Sequence, residues 1–339
     1  MERFRLLVGR ALLVIDFRYH IVSIVAIFLA LAIGIVLGST VLNAPLVAST
    51  EKVTAQLRGT NAELYDQIAH AQTRGGASDA FIAERLPQLV QGTLTGERVV
   101  IVEAPGADSK LREPFQQVLT EAGAVVSGRV TLTEKYLSAD QAAAVDRLAT
   151  ARPTPLTLSA DATLYDKAAA LLAGAVVTAD KALAGKDDPS SAGVLDGLES
   201  DGMVALEGEP GKRATLALVM APAAPYEGKD AEAQTAAVVA LATALDQASE
   251  GAVVAGVVPV STAAGVVAAV RADGDASAKV STVDNADMAF GRAAVVYSLR
   301  EQVAGDVGQY GLGSDAVAAD PSPAATPTPT PTSTEGAGG

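Results

Sequence analysis

The chain has no cysteine and no tryptophan. It has two histidines and four methionines, and aromatic residues make up 4% of its 339 positions. Without cysteine there is no disulfide, no zinc–thiolate centre, no iron–sulfur cluster and no thiol nucleophile. That absence does not fix the compartment, although it is compatible with an oxidising envelope space. Met1, Met203, Met220 and Met288 are scattered, and His20 and His70 flank a long apolar run, so the sequence offers no cluster of soft metal ligands. Positive charge is also scarce. Against 39 acidic residues stand 25 Lys and Arg, for a net charge of −14. Such a chain is repelled by nucleic acid, which is therefore not an expected partner.

The motifs of the common cofactor and catalytic sites are missing as well. A dinucleotide site needs G-x-G-x-x-G between a strand and a helix. The first clear strand is followed instead by Ala104-Pro105-Gly106-Ala107-Asp108. Gly308, Gly311 and Gly313 follow a helical pattern and read as a helix stop. There is no phosphate-binding Lys loop and no G-x-S-x-G elbow. The expectation is a protein that is not an enzyme, with no catalytic, cofactor-binding or metal-ligating residues and no cofactor. The one metal option is a carboxylate site for Ca²⁺ or Mg²⁺, from Asp273 and Asp275 or from Asp284 and Asp287. Loop carboxylates are more often solvated charge or helix caps.

What the chain does have is a long apolar run. Residues 21–42, IVSIVAIFLALAIGIVLGSTVL, carry no charge. As a helix they reach roughly 33 Å, enough to cross a hydrocarbon core of about 30 Å. A cleaved signal peptide usually has an apolar region of about 7–15 residues, shorter than this one. Arg3, Arg5, Arg10 and Arg18 precede the run, which predicts a cytoplasmic N-terminus (residues 1–20) and a single-pass protein of the cell membrane with its main domain outside. Ala26, Ala30, Gly34 and Gly38 recur every fourth residue. Small residues at that spacing let two helices approach closely, so a homodimer is expected, although Ala and Gly are common in any span.

Residues 43–76 read as a helical stalk. Leu57 and Leu64 fit a positions and Leu46 and Val53 fit d positions of a marginal coiled coil, and Gly75–Gly76 closes it. The other reading is an amphipathic helix folded back on its own domain. Residues 77–311 then alternate. Short Val-rich runs at 98–105, 124–132, 215–221, 252–258 and 279–284 read as strands. Patterns at 109–122, 138–150, 162–173, 230–248, 261–272 and 286–304 read as helices. This predicts an α/β fold, a Rossmann-like domain on a mostly parallel sheet, with the strand order open. The stretch 174–213 is hard to read, with a short helix possible at Val194–Leu198. Residues 312–339 are expected to form a disordered Pro/Thr-rich tail.

Asp284 and Asn285 end the last predicted strand just before a helix predicted from Ala286. Either could cap that helix. Alternatively, they are a ligand contact at the C-terminal edge of a parallel sheet, where such folds bind small molecules.

Two stretches, DFRYHIVSIVAIFLALAIGIVLGSTVL (16–42) and STVDNADMAFGRAAVVYSLREQVAGDVGQYG (281–311), with GERVVIVEAPGADS (96–109) between them, resemble the actinobacterial MctB-type copper transporter family. The first stretch has Arg18, His20, Phe28 and the Gly34/Gly38 pair in the family's order. The second has Asp284-Asn285, Gly291 and Tyr310-Gly311. The resemblance covers residues 16–311. It implies an envelope protein with one N-terminal transmembrane helix and a role in copper transport or homeostasis, with a channel in the outer membrane. Some related proteins are linked instead to cell separation, where a membrane-anchored partner helps control peptidoglycan hydrolysis. The alternative expectation is thus a non-enzymatic dimeric scaffold or regulator that binds an envelope or cell-division protein. The resemblance supplies no active-site residues.

Overall fold

A computed structural model describes residues 2–151, 156–159, 161–257 and 264–321, with side chains at 17–39 and from Lys52 onward. The chain divides into two compact units, Met1–Gly76 and Ala77–Gly339. The first helix, α1 (Glu2–Val90), contributes to both. Gly75–Gly76 does not stop it. Nothing at these positions demands a turn, and neighbouring Ala, Gln, Arg and Glu residues keep the helix going.

In the first unit, Phe17–Ser39 is long and apolar enough to cross a membrane, and none of it is buried within the chain. Its large side chains, such as Ile27 and Phe28, are mostly exposed. The predicted span reached Leu42, and the side chains of residues 40–51 lie outside the described set. Further along, Val53, Leu57, Leu64 and Ile68 form an exposed row at spacings of four and seven.

The second unit is a layered α/β domain. After α1 come β1 (Arg98–Glu103), α2 (Arg112–Glu121), β2 (Val125–Leu132), α3 (Ala142–Ala151), α4 (Leu164–Val176), α5 (Pro189–Ser200) and β3 (Val204–Gly208). They are followed by β4 (Leu216–Met220), α6 (Ala231–Ala248), β5 (Ala252–Ala255), α7 (Val266–Ala272), the short α8 (Gly274–Ser277), β6 (Ser281–Val283), α9 (Ala289–Ala304) and β7 (Gln309–Tyr310). One seven-stranded sheet has the order β3-β2-β1-β4-β5-β6-β7. All its pairings are parallel except β2 with β3 at one edge.

The alternation of each strand sorts its side chains between two cores. Val100, Val102, Val219 and Val254 point to the core under α3 to α7. Val99, Ile101, Leu218 and Val253 point to the other, under α2, α9 and the end of α1. Strands covered on both faces must be apolar throughout, which explains the continuous Val-rich runs. Ile82, Leu86 and Val90 of α1 recur every fourth residue and seat the end of that helix on the second core.

The expected strands and helices are present, most of them with shorter ends; α4 and α3 run past their predicted C-terminal ends. The hard stretch 174–213 resolves into the end of α4, then α5 and β3. Pro189 at the start of α5 and the Asp188 cap give it a sharp N-terminus. The helix expected at 261–272 is described from Val266, and residues 258–263 lie outside the described set. Residues 312–321, expected as tail, pack onto the domain. Residues 322–339 lie outside the described set.

Candidate functional site

The C-terminal edge of the parallel strands is where ligands bind in folds of this kind, at the point where strand order reverses. Here that point lies between β1 and β4, and the two loops there bond to each other. Ala104 N–H donates to the Met220 carbonyl at 3.0 Å, and Ala223 N–H to the Gly106 carbonyl at 2.9 Å. The Tyr226 hydroxyl ties down the Pro105 carbonyl at 3.0 Å. These bonds tie the two loops to each other across the switch point.

Just beside this closure, β1 ends in a buried carboxylate. Glu103 is 2% exposed and receives Nε and Nη2 of Arg112 at 2.8 and 2.6 Å. Arg129 Nε lies at 3.3 Å and the Thr131 hydroxyl at 3.2 Å. The hydrogen bonds to Glu103 hold the Arg112 guanidinium above its ordinary range. This is a satisfied charge network, with no lone pair left for a metal.

Asp284 and Asn285 follow β6 directly, but neither caps α9. That helix starts at Ala289, after Met288. Its first N–H is taken by the Asp79 carboxylate of α1, at 2.6 Å. The Asp284 carboxylate turns instead to the chain beyond β7. It accepts from Leu312 N–H at 2.7 Å, Gly313 N–H at 3.0 Å and Arg271 Nη1 at 2.9 Å. Arg271 also donates to the Thr282 hydroxyl, the Tyr310 carbonyl and Asp315. A strap of residues 310–318 is thereby clasped over the end of β6.

The glycines of the strap are explained by the same contact. Gly311 has φ +137°, and a Cβ there would overlap Asp284 Oδ1. A Cβ on Gly313 would lie 2.8 Å from Asp284 Oδ2. These glycines were expected to stop a helix; Gly305 does that, in a left-handed conformation. The strap was missed because its partner, Arg271, sits on α7, with α8, β6, α9 and β7 between them. The available signal was an Asp at a strand end together with a Gly-x-Gly near the close of the fold.

Asn285 is 4% exposed, and neither atom of its amide group has a hydrogen-bond partner among the described residues. A Cβ on Gly291 would overlap the Asn285 carbonyl, so the first turn of α9 can lie against this loop only with glycine there. The Tyr310 hydroxyl donates to Glu301 at 2.6 Å. Burial, then the Glu301 charge, push the phenol above its ordinary range.

The metal candidates do not assemble. Among the described residues no three His, Cys, Asp or Glu side chains are grouped to hold an ion. Asp273 caps α8, and Asp275 pairs with Lys279 at 3.2 Å. Met203 and Met220 are buried in different cores, separated by the sheet. His20 and His70 sit on α1, about 75 Å apart along the helix. A soft cation therefore finds no internal donor set. In the first unit, Ala26, Ala30, Gly34 and Gly38 fall on one strip of α1, and a Cβ added to Gly34 or Gly38 would meet nothing within 4 Å.

Comparison with known proteins gives a match to the family described as "Copper transport outer membrane protein, MctB" over residues 14–321. Proteins named "Copper transporter MctB" from Mycobacterium tuberculosis (strain ATCC 25618 / H37Rv) and Mycobacterium bovis are each 29% identical over 313 residues. Those alignments cover 91% of this chain and 99% of the relative. The Mycobacterium leprae protein of the same name is 29% identical over 320 residues, covering 90% and 98%.

Proposed function

This chain belongs to the MctB family of copper transport proteins, and from that premise we propose that it is a membrane-tethered component of copper handling that works through assembly with other protein rather than by coordinating copper itself. The observation that carries the second half is the donor set. The chain has no cysteine, and its histidines and buried methionines are kept apart.

The membrane part argues the same way. One apolar helix has no lumen, and residues 21–39 contain no charged side chain that could mark an ion path. The seven-stranded sheet is open and covered on both faces by helices, unlike a barrel with a lipid-facing wall. A transport role for such a chain requires partners or a second copy.

Several finer points belong to this reading. The chain is a parallel homodimer in the membrane, supported by the Ala26-Ala30-Gly34-Gly38 strip and by the bare row Val53, Leu57, Leu64 and Ile68, which a coiled-coil stalk would cover. The N-terminus is cytoplasmic and the α/β domain lies outside, supported by the four arginines before the span. The domain is Rossmann-like in its strand order but catalyses no reaction and holds no cofactor, supported by the closed loops between β1 and β4.

The test is a deletion strain scored for copper tolerance and for cell separation. Lost copper tolerance, restored by the chain, is the expected result. Normal copper tolerance with defective separation would replace this reading by that of an envelope scaffold controlling peptidoglycan hydrolysis.

A further inference from the structure

A groove of about 970 Å³ lies on the face of the α/β domain away from α9. Its floor is α6, and its walls are the described residues of 156–162 with the start of α4 on one side and α7 with α8 on the other. Along the floor Thr235, Ala236, Val239, Ala240 and Thr243 recur at helical spacing. The two threonine hydroxyls donate to carbonyls of their own helix, at 2.8 and 3.0 Å. They therefore have no free hydroxyl proton to offer, and the floor is small and largely apolar.

The rim has one sign of charge. Among the described residues lining the groove five are carboxylates and none is Lys or Arg. Asp166 caps α4, Asp273 caps α8 and Asp275 pairs with Lys279, which leaves Asp161 and Glu232 as the exposed charges facing a ligand. The floor from Glu232 to Gln247 runs about 22 Å, four turns of a facing helix. Small residues let such a helix come within the usual 8–10 Å or so between axes.

We propose that this groove receives an amphipathic helix of a partner protein, with an apolar stripe on α6 and Lys or Arg side chains reaching the rim. Charge selects against an occupant from the chain itself: the segment SPAATPTPTPTSTEGAGG of this chain has one Glu and no basic residue. The dimer proposed above is made through the span and stalk, which leaves this groove open to another protein. The proposal gives a surface to the assembly reading above, but it does not depend on copper and is tested without it.

The experiment places a photo-crosslinking amino acid at Ala240 of the full-length chain in intact cells. Parallel samples carry it at exposed Gln247 of the same groove and at exposed Thr120 on α2, on the opposite face. Linked peptides are sequenced by mass spectrometry. The expected adduct from both groove positions, absent from Thr120, is a peptide of another protein with Lys or Arg flanking an apolar stripe of helical period. Reversing two exposed rim charges, Asp161→Lys with Glu232→Lys, should cut its yield about tenfold, the product of two surface ion pairs lost and replaced by repulsion. Linkage to this chain's own peptides, linkage to an acidic or non-periodic peptide, no linkage at either groove position, or a yield unmoved by the charge reversal overturns the proposal.

Discussion

Replacing Asp284 by alanine should open the strap while leaving the sheet closed. The carboxylate is buried and accepts from two backbone N–H groups and one guanidinium. Breaking a buried ion pair from one side costs about 3–5 kcal/mol when the remaining charge is stranded. Arg271 would not be stranded, because Asp315, Thr282 and the Tyr310 carbonyl still receive it. The lower end, about 3 kcal/mol, is therefore expected, most of it from the freed Leu312 and Gly313 amides. Hydrogen exchange of the full chain in detergent, read by mass spectrometry, reports this locally. Amides of residues 309–318 should exchange about a hundredfold faster, since 1.4 kcal/mol or so is a factor of ten. Those of β1, at 98–103, should keep their protection. Unchanged exchange in the strap would show that Asp284 is not its clasp and refute the argument.

Other consequences are as specific. Burial raises the Asp246 carboxyl from 3.8 to about 6, against the Ala252 N–H bond and nearby Lys279. The folded chain then keeps a proton that the unfolded chain releases, so this group's stabilising effect is full below 3.8 and lost as pH rises through about 6. Asp246→Asn should stabilise by about 1–2 kcal/mol at neutral pH, after discounting for partial exposure, and should do nothing near pH 3.5; equal thermal shifts at both pH values would contradict this. Gly291→Ala should destabilise the domain by about 2–4 kcal/mol, because the methyl meets the Asn285 backbone rather than a side chain that can swing away; a chemical-denaturation midpoint equal to wild type would rule that out. Leucine at both Gly34 and Gly38 should abolish crosslinked dimers in membranes without changing the fold of the α/β domain, whereas persistent dimers would move the interface off this strip.

The sequence and the structure agree most closely where burial dictates the residue. Val99 to Val102, Leu216 to Met220 and Ala252 to Ala255 are covered on both faces, so their type and length alone mark them as strands. The antiparallel edge strand β3 was not legible, because Ala205 and Leu206 sit among Glu and Gly and carry no period of two over a useful length. Gly75–Gly76 misled in the other direction: glycine weakens a helix by about 1 kcal/mol but does not by itself end one. The site divided along the same line. Asp284 and Asn285 were recognisable as residues at a strand end, since β6 (Ser281–Val283) stops just before them. What Asp284 holds was not recognisable, since the clasp joins Arg271, Asp284 and Gly313 across three elements.

Copper content of cells tests the central claim most directly. Cell-associated copper should be measured by mass spectrometry in a strain lacking this chain, in that strain supplied with the full chain, and in that strain supplied with residues from Lys52 onward behind a cleavable secretion signal. The account predicts that copper accumulates in the deletion strain, that the full chain restores the normal level, and that the untethered domain does not. A deletion strain with unaltered copper content, or full rescue by the untethered domain, would contradict it.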